Sequence, residues 1–234
     1  MEITYLLNSG FMVKSDRLLL VFDDFADPAR AVEVALRKGD FDYLYIFASH
    51  AHFDHFDSHI LNYKNNVAKY IFSNDIKHTK RAKAFPTEKT VYLKKYDGYE
   101  DDNIKVVSFD STDVGTSFLV EAENKKIFHA GDFNWWDWTG DTEENRKLAK
   151  NGFFKQLKKL EGLSFDAAFF PVDGRLESSE ELGAREFLKA TETKILIAMH
   201  RAGYPSWIPS KDFFPKEPIP IWSPAKEGER RDFN

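Results

Sequence analysis

The chain has 234 residues, 42% hydrophobic and 30% charged, with 22 Phe, no cysteine and a formal net charge of −5. Such a length suffices for one well-cored α/β domain, and the negative balance argues against a nucleic-acid surface, which needs clustered Lys and Arg. A cysteine-free chain fits a reducing compartment, its first residues lack a basic-then-apolar leader, and no apolar run approaches the roughly 20 residues of a membrane span, so a cytoplasmic protein without a membrane partner is expected.

In chain order, residues 2–7 and 17–22 read as two paired strands set around the turns Asn8-Ser9-Gly10 and Lys14-Ser15-Asp16. The second ends in Asp23-Asp24, for which a loop-ordering role is expected. Asp27-Pro28, residues 29–38 and Gly39 predict a helix with an Asp N-cap, Pro in the first turn and Gly past the end. Residues 43–48 form a continuous apolar run, read as a buried strand. A short helix is expected over 57–65, with His59 structural, then a strand at 70–73, a short helix at 75–82 carrying an exposed His78, and a strand at 90–93. Residues 103–109, 116–123 and 126–129 alternate as strands and close on Ala130-Gly131-Asp132. A helix follows over 143–160, capped by Asp141-Thr142, then a buried strand at 165–171 ending at Asp173, a helix at 179–190, and a strand at 194–199 ending at His200. The last thirty residues, rich in Pro and aromatics, are expected to wrap the edge of a site, and their aromatics allow a dimer. No repeat or linker divides the chain, so a single domain over 1–234 is expected.

The stretch His50-Ala51-His52-Phe53-Asp54-His55 directly follows the buried strand. His50 and His52, two apart on extended backbone, project to the same side and can share one cation. A turn into a helix would carry Asp54 and His55 round to a second position. Imidazole nitrogen with a hard carboxylate oxygen suits zinc first, with iron or manganese open, and no thiolate biases the choice. The bland alternative is a polar loop with chance histidines. Three of the chain's seven histidines in one hexapeptide argue against it.

This hexapeptide resembles the His-x-His-x-Asp-His signature of the metallo-β-lactamase-fold hydrolases, and Gly131-Asp132 and the strand-end His200 match the two further elements that make that signature specific. The resemblance runs from the N-terminus to about His200, and the length looks like the ascorbate-6-phosphate-lactonase-like branch. It implies an α/β fold, a four-layer αβ/βα sandwich, which the alternation of strands and helices around a long antiparallel middle segment also fits. It further implies that His50 and His52 hold one metal, that Asp54, His55 and His200 hold a second, and that Asp132 bridges them, with Asp54 as catalytic residue and metal-activated water or hydroxide as nucleophile. The family's third histidine, before a turn in the middle β segment, is missing. Here Ser111-Thr112-Asp113-Val114-Gly115-Thr116-Ser117 offers Asp113 as substitute, with Asp110 next. An Asp-for-His exchange hardens that position toward iron or manganese, or leaves room for one ion only.

Three tryptophans, Trp135, Trp136 and Trp138, follow Asp132 and either line a substrate pocket or cap the core. His129 precedes Asp132 on a strand whose alternation points it elsewhere. Arg175, Arg201 and Tyr204 lie after strand ends and suit an anionic small-molecule substrate. The expected function is a metal-dependent hydrolase acting on an ester, lactone or phosphodiester-type bond. The alternative is a metal-binding module that has lost catalysis and serves as a binding protein. A nuclease would need a basic surface, which the sequence lacks.

Overall fold

A computed structural model describes residues 1–233, and they fall into two compact units, residues 1–94 with the segment from Pro224 onward, and Lys95–Ser223.

The first unit is built on strands β1 (Glu2–Leu7), β2 (Gly10–Lys14), β3 (Leu18–Phe22), β4 (Tyr43–Ala48), β5 (Val67–Ser73) and β6 (Thr90–Leu93), with helix α1 (Ala31–Lys38) between β3 and β4. These strands lie side by side in chain order, and the C-terminal strand Arg230–Asp232 joins the open edge of β1. The first three run antiparallel and β3 to β6 parallel. Every residue of β3 is buried, as parallel strands covered on both faces require. The sequence reading passed over β2, because Phe11-Met12-Val13 is a short apolar run beside turn-forming residues. The turn before it is tight: Asn8 has φ 54°, and a Cβ on Gly10 would lie 2.9 Å from the Leu7 carbonyl and 3.0 Å from that of Asp23. Helix α1 starts later than expected. Arg30, with φ 54°, stands at its N-cap, and Asp27 helps from outside by accepting the Val32 N–H at 2.8 Å. Gly39, φ 64°, ends the helix as expected. Around Phe56, Tyr70, Phe72 and Phe85 the core is a mesh of aromatic rings, each fully buried large side chain contributing about 1.5–3 kcal/mol.

The second unit contains β7 (Gly98–Glu100), β8 (Ile104–Asp110), β9 (Thr116–Ala122), β10 (Lys125–His129), β11 (Ser164–Phe165), β12 (Ala167–Pro171), β13 (Glu192–Thr193), β14 (Leu196–Met199) and β15 (Ile221–Trp222), with helices α2 (Glu143–Leu157) and α3 (Leu182–Ala190). Its main sheet runs β15-β14-β12-β10-β9-β8-β7, and β11 pairs with β13 separately. Strands β7 to β10 form an antiparallel meander, and β10, β12, β14 and β15 are parallel. Thr142 caps α2 by accepting the Asn145 N–H at 3.2 Å. The helix predicted over 179–190 begins only at Leu182, after a 3-10 segment, Gly174–Ser179, kinked at Glu177. The C-terminal thirty residues do more than wrap an edge, since they supply one strand to each large sheet. Among the described residues no helix is long and apolar enough to cross a membrane.

Candidate metal centre

In the first unit the donors follow β4. The helix expected to carry Asp54 and His55 is instead a hydrogen-bonded turn, with the His55 and Phe56 N–H groups donating to the His52 carbonyl at 3.2 and 3.0 Å. His50 Nε2 and His52 Nδ1 come within 3.0 Å of each other. At the end of β3, Asp23 takes a left-handed conformation with φ 45°, which costs about 1–3 kcal/mol for a residue other than glycine. That kink aims its buried carboxylate under the donor loop. There it accepts the Ser49 N–H and the Ser49 hydroxyl, each at 2.7 Å, and holds His55 Nδ1 at 2.8 Å. With Nδ1 so engaged, His55 turns Nε2 toward Asp54, whose Oδ2 lies 3.7 Å away. Asp54 is steadied in turn by the Asn8 amide at 3.2 Å.

A second layer grips the loop backbone. Arg81 donates to the carbonyls of Phe56 and, at 2.8 Å, Ala51, while Asp75 accepts the Ala51 N–H at 2.8 Å. Neither residue has a motif to announce it, nor does Asn8. Behind the loop His59 sits between Asp24 at 3.1 Å and Asp57 at 3.3 Å. Burial pushes the Asp24 carboxyl up. Burial opposes charge on His59, but its hydrogen bonds and proximity to the two carboxylates outweigh that and raise its pKa. Both shifts keep a proton in the pair. His78 is exposed.

In the second unit three segments converge. Asp132 follows Gly131 (φ 54°), and His200 directly follows β14 in a left-handed conformation, φ 57°. Asp173, fully buried after β12, holds His200 Nδ1 at 3.1 Å, and His200 Nε2 lies 3.4 Å from Asp132 Oδ1. Burial alone would raise the Asp173 pKa, but hydrogen bonds from His200 and Arg175 overcome it and bring it to about 2. Asp113 is exposed, with a carboxylate oxygen within 4.8 Å of one on Asp132. Thr112 latches its loop, its hydroxyl donating to the Asn134 carbonyl at 2.6 Å and accepting the Asn134 N–H at 2.9 Å. Asp110 is engaged elsewhere, by Lys95 at 3.1 Å and Gln156 at 2.9 Å.

His129 is a core residue, buried against Phe169. The tryptophans divide. Trp135 stacks on Phe153, whereas Trp136 lies edge-on to His200 with centroids 5.6 Å apart. Arg175 grips Asp173 through two nitrogens at 2.5–3.0 Å. Arg201 is held by Glu180 at 3.0 Å and by the Val172 carbonyl at 2.5 Å, and the Tyr204 ring lies on Gly174, where a Cβ would meet it at 2.5 Å.

The donor chemistry fits a metal ion. In each unit a histidine gives Nδ1 to a buried carboxylate, which orients the ring and leaves Nε2 to face a second carboxylate. Such carboxylate–histidine pairs raise ligand basicity and fix the tautomer that a metal needs.

No protein-family model and no curated protein matches the sequence. Solved structures do match. A novel metallo hydrolase from the hyperthermophilic archaeon Ignicoccus hospitalis is 16% identical with a TM-score of 0.61, the alignment covering 100% of this chain and 99% of that one. The metallo-β-lactamase fold protein YhfI from Bacillus subtilis is 13% identical with a TM-score of 0.60, at 99% of both chains. The diiron β-hydroxylase CmlA from Streptomyces venezuelae is 11% identical with a TM-score of 0.58, over 86% of this chain and 45% of that one. This likeness shows the fold. The chain is mixed α/β with two large sheets and has the metallo-β-lactamase fold.

Proposed function

We propose that the chain is a metal-dependent hydrolase acting as one domain, with His50, His52, Asp54, His55, Asp113, Asp132 and His200 as its metal ligands. The observation that supports this most is the pair of oriented histidines, His55 on Asp23 and His200 on Asp173, each with Nε2 directed at a carboxylate. Following the ligand set that the resemblance implies, His50 and His52 would hold one ion with Asp113 in place of the missing histidine, Asp54, His55 and His200 would hold a second, and Asp132 would serve both. Zinc suits this set, and the added carboxylate leaves iron or manganese open. A cation bound there supplies Lewis acidity and lowers the pKa of water toward neutrality.

The protein's own residues do the rest. Asp54, with about a quarter of its side chain exposed (26%), is positioned by Asn8 to take the proton of the attacking water. Asp23 and Asp173 keep the two imidazoles in the metal-binding tautomer. The substrate is a small molecule carrying an ester, lactone or phosphodiester-type bond, with a lactone of an anionic sugar in keeping with the ascorbate-6-phosphate-lactonase-like resemblance. The net charge of −5 speaks against nucleic acid, and the cysteine-free composition fits action in the cytoplasm.

Elemental analysis after chelator-free purification tests the centre, and turnover of ester, lactone and phosphodiester panels tests the reaction. Asp54→Ala is expected to lose both metal and turnover; full activity in that variant would refute the assignment. Two equivalents of metal falling to one in Asp113→Ala would make Asp113 a ligand. A second reading, a metal-binding module without catalysis, draws on the exposed position of Asp113 where the family has a histidine. A metal-loaded protein inert across all three panels would favour it.

A further inference from the structure

Helix α2 of the second unit is packed only along its C-terminal half. Phe153 and Leu157 are its buried residues, and no side chain of its first two turns is buried. Those turns are held from one side by polar contacts: Arg146 grips Asp137 at 2.8 and 2.6 Å, and the Lys150 ammonium lies 5.3 Å from the centroid of the Trp135 ring. Leu148 stands about two and a half turns before Leu157 and so points the opposite way. It is 62% exposed. One turn beyond it is Gly152, a residue type that weakens a helix interior. Nothing in the chain calls for glycine there, since a Cβ would meet no atom within 4 Å beyond its own helix. Glu144, Asn145, Asn151 and Lys155 share this outer face at helical spacing, with Asp141 just ahead of them.

We propose that this outer face docks a second copy of the chain, with two α2 helices antiparallel across a twofold axis at Leu148. The occupant follows from the order of charges. The helix begins acidic, with Asp141, Glu143 and Glu144, and ends basic, with Lys155, Lys158 and Lys159. An antiparallel pair therefore brings each acidic end against a basic one, while a parallel pair sets like against like. The register closes residue by residue. With Leu148 against its own counterpart, Asp141 and Glu144 flank Lys155 of the second copy. Asn145, whose amide N–H holds Asp141 at 2.7 Å, has its carbonyl oxygen left to accept from Asn151 of the second copy. Glu144 falls opposite Gly152, whose missing side chain lets the helices approach. A surface that is its own complement about one axis is what an isologous contact requires, and a foreign partner would not need acidic and basic ends to mirror each other about Leu148. The contact is one helix of 15 residues long, about 22 Å, which is short for a permanent interface, so the dimer is weak and reversible. It stands independently of the metal-centre reading.

The test is sedimentation velocity of the full chain, purified without chelators, from about 10 μM to about 1 mM at low and high salt, with a thermal melt of each variant. A monomer–dimer equilibrium weakened by salt is expected. Glu144→Lys and Lys155→Glu each reverse one partner of a pair that occurs twice in the dimer, and each is expected to weaken association about tenfold. The two together in one chain restore complementarity and with it the dimer. Leu148→Glu sets two carboxylates face to face on the axis and is expected to abolish association. Because the chain has no cysteine, Leu148→Cys gives one thiol per chain, which oxidised glutathione is expected to join into a covalent dimer much faster than it does Glu143→Cys. These side chains are all exposed, so the variants should melt as the wild type does. A chain that stays monomeric throughout the range overturns the proposal and leaves the face to a different protein. A dimer indifferent to Leu148→Glu and to both charge reversals overturns it as well, since association then uses another face.

Discussion

The two units build the same device in opposite ways. In the first, one hexapeptide bent by a single turn carries four candidate donors, and one buried carboxylate, Asp23, anchors it by binding Ser49 twice and His55 once. In the second, Asp113, Asp132 and His200 come from three separate segments, and each is held by its own device: the Thr112 latch, the Gly131 turn and the Asp173–Arg175 clamp. The lesson is one of coupling. Damage to the anchor of a local motif disturbs every donor together, whereas damage in a converged site stays with one donor.

That contrast can be broken by experiment. Asp23→Ala should have the largest effect, about 3–5 kcal/mol, because it strands buried hydrogen-bonding groups and an imidazole at once. Thermal unfolding and metal analysis check it, and a variant with wild-type melting temperature and metal content would erase the distinction. Asp173→Ala should cost less stability, about 1–3 kcal/mol, and weaken metal binding about 10- to 100-fold while leaving the first unit's donors intact. Titration with a metal-sensitive dye and histidine NMR signals separate the two variants. Arg81→Ala, which releases two backbone carbonyls at the loop's rim, should cost about 1–2 kcal/mol and broaden the signals of His50, His52 and His55 but not that of His200.

The smallest effect is a pH dependence behind the first unit's loop. His59 has a raised pKa, and so has Asp24, so in both cases the folded state holds the proton more tightly than the unfolded one. The His59 contribution is complete below the ordinary histidine value of 6.5 and declines as pH rises through its higher folded value, whereas that of Asp24 is complete only below the ordinary carboxyl value of 3.8 and declines above it. Unfolding midpoints of His59→Gln and wild type should therefore converge on going from about pH 6 to about pH 9. A gap that widens over that interval would reverse the sign.

The legible parts of the chain were those in which chemistry and spacing coincide locally. The buried run of β4 and the four donors after it sit within thirteen residues, and the period of two and the turn geometry are properties of adjacent residues. The matches at Gly131-Asp132 and His200 came from the resemblance, and each stands at a strand end. By contrast β2 was missed, since its three apolar residues carry too little periodic signal between two turns. So was the place of residues 221–222 and 230–232, whose pairing partners lie far along the chain.

What the sequence by itself determined, then, was a set of candidate donors, the hard-metal preference that a cysteine-free His/Asp set would impose, and the α/β alternation of elements. Only tertiary structure decided which neighbours serve them. Asn8, Asp75, Arg81 and Asp173 bear no motif because hydrogen bonds across tens of residues leave no mark on local spacing. It also decided that Trp135 packs on Phe153 while Trp136 lies against His200 and Trp138 stacks on Trp136. Three like side chains in one tetrapeptide are equivalent until a backbone direction assigns each of them a face.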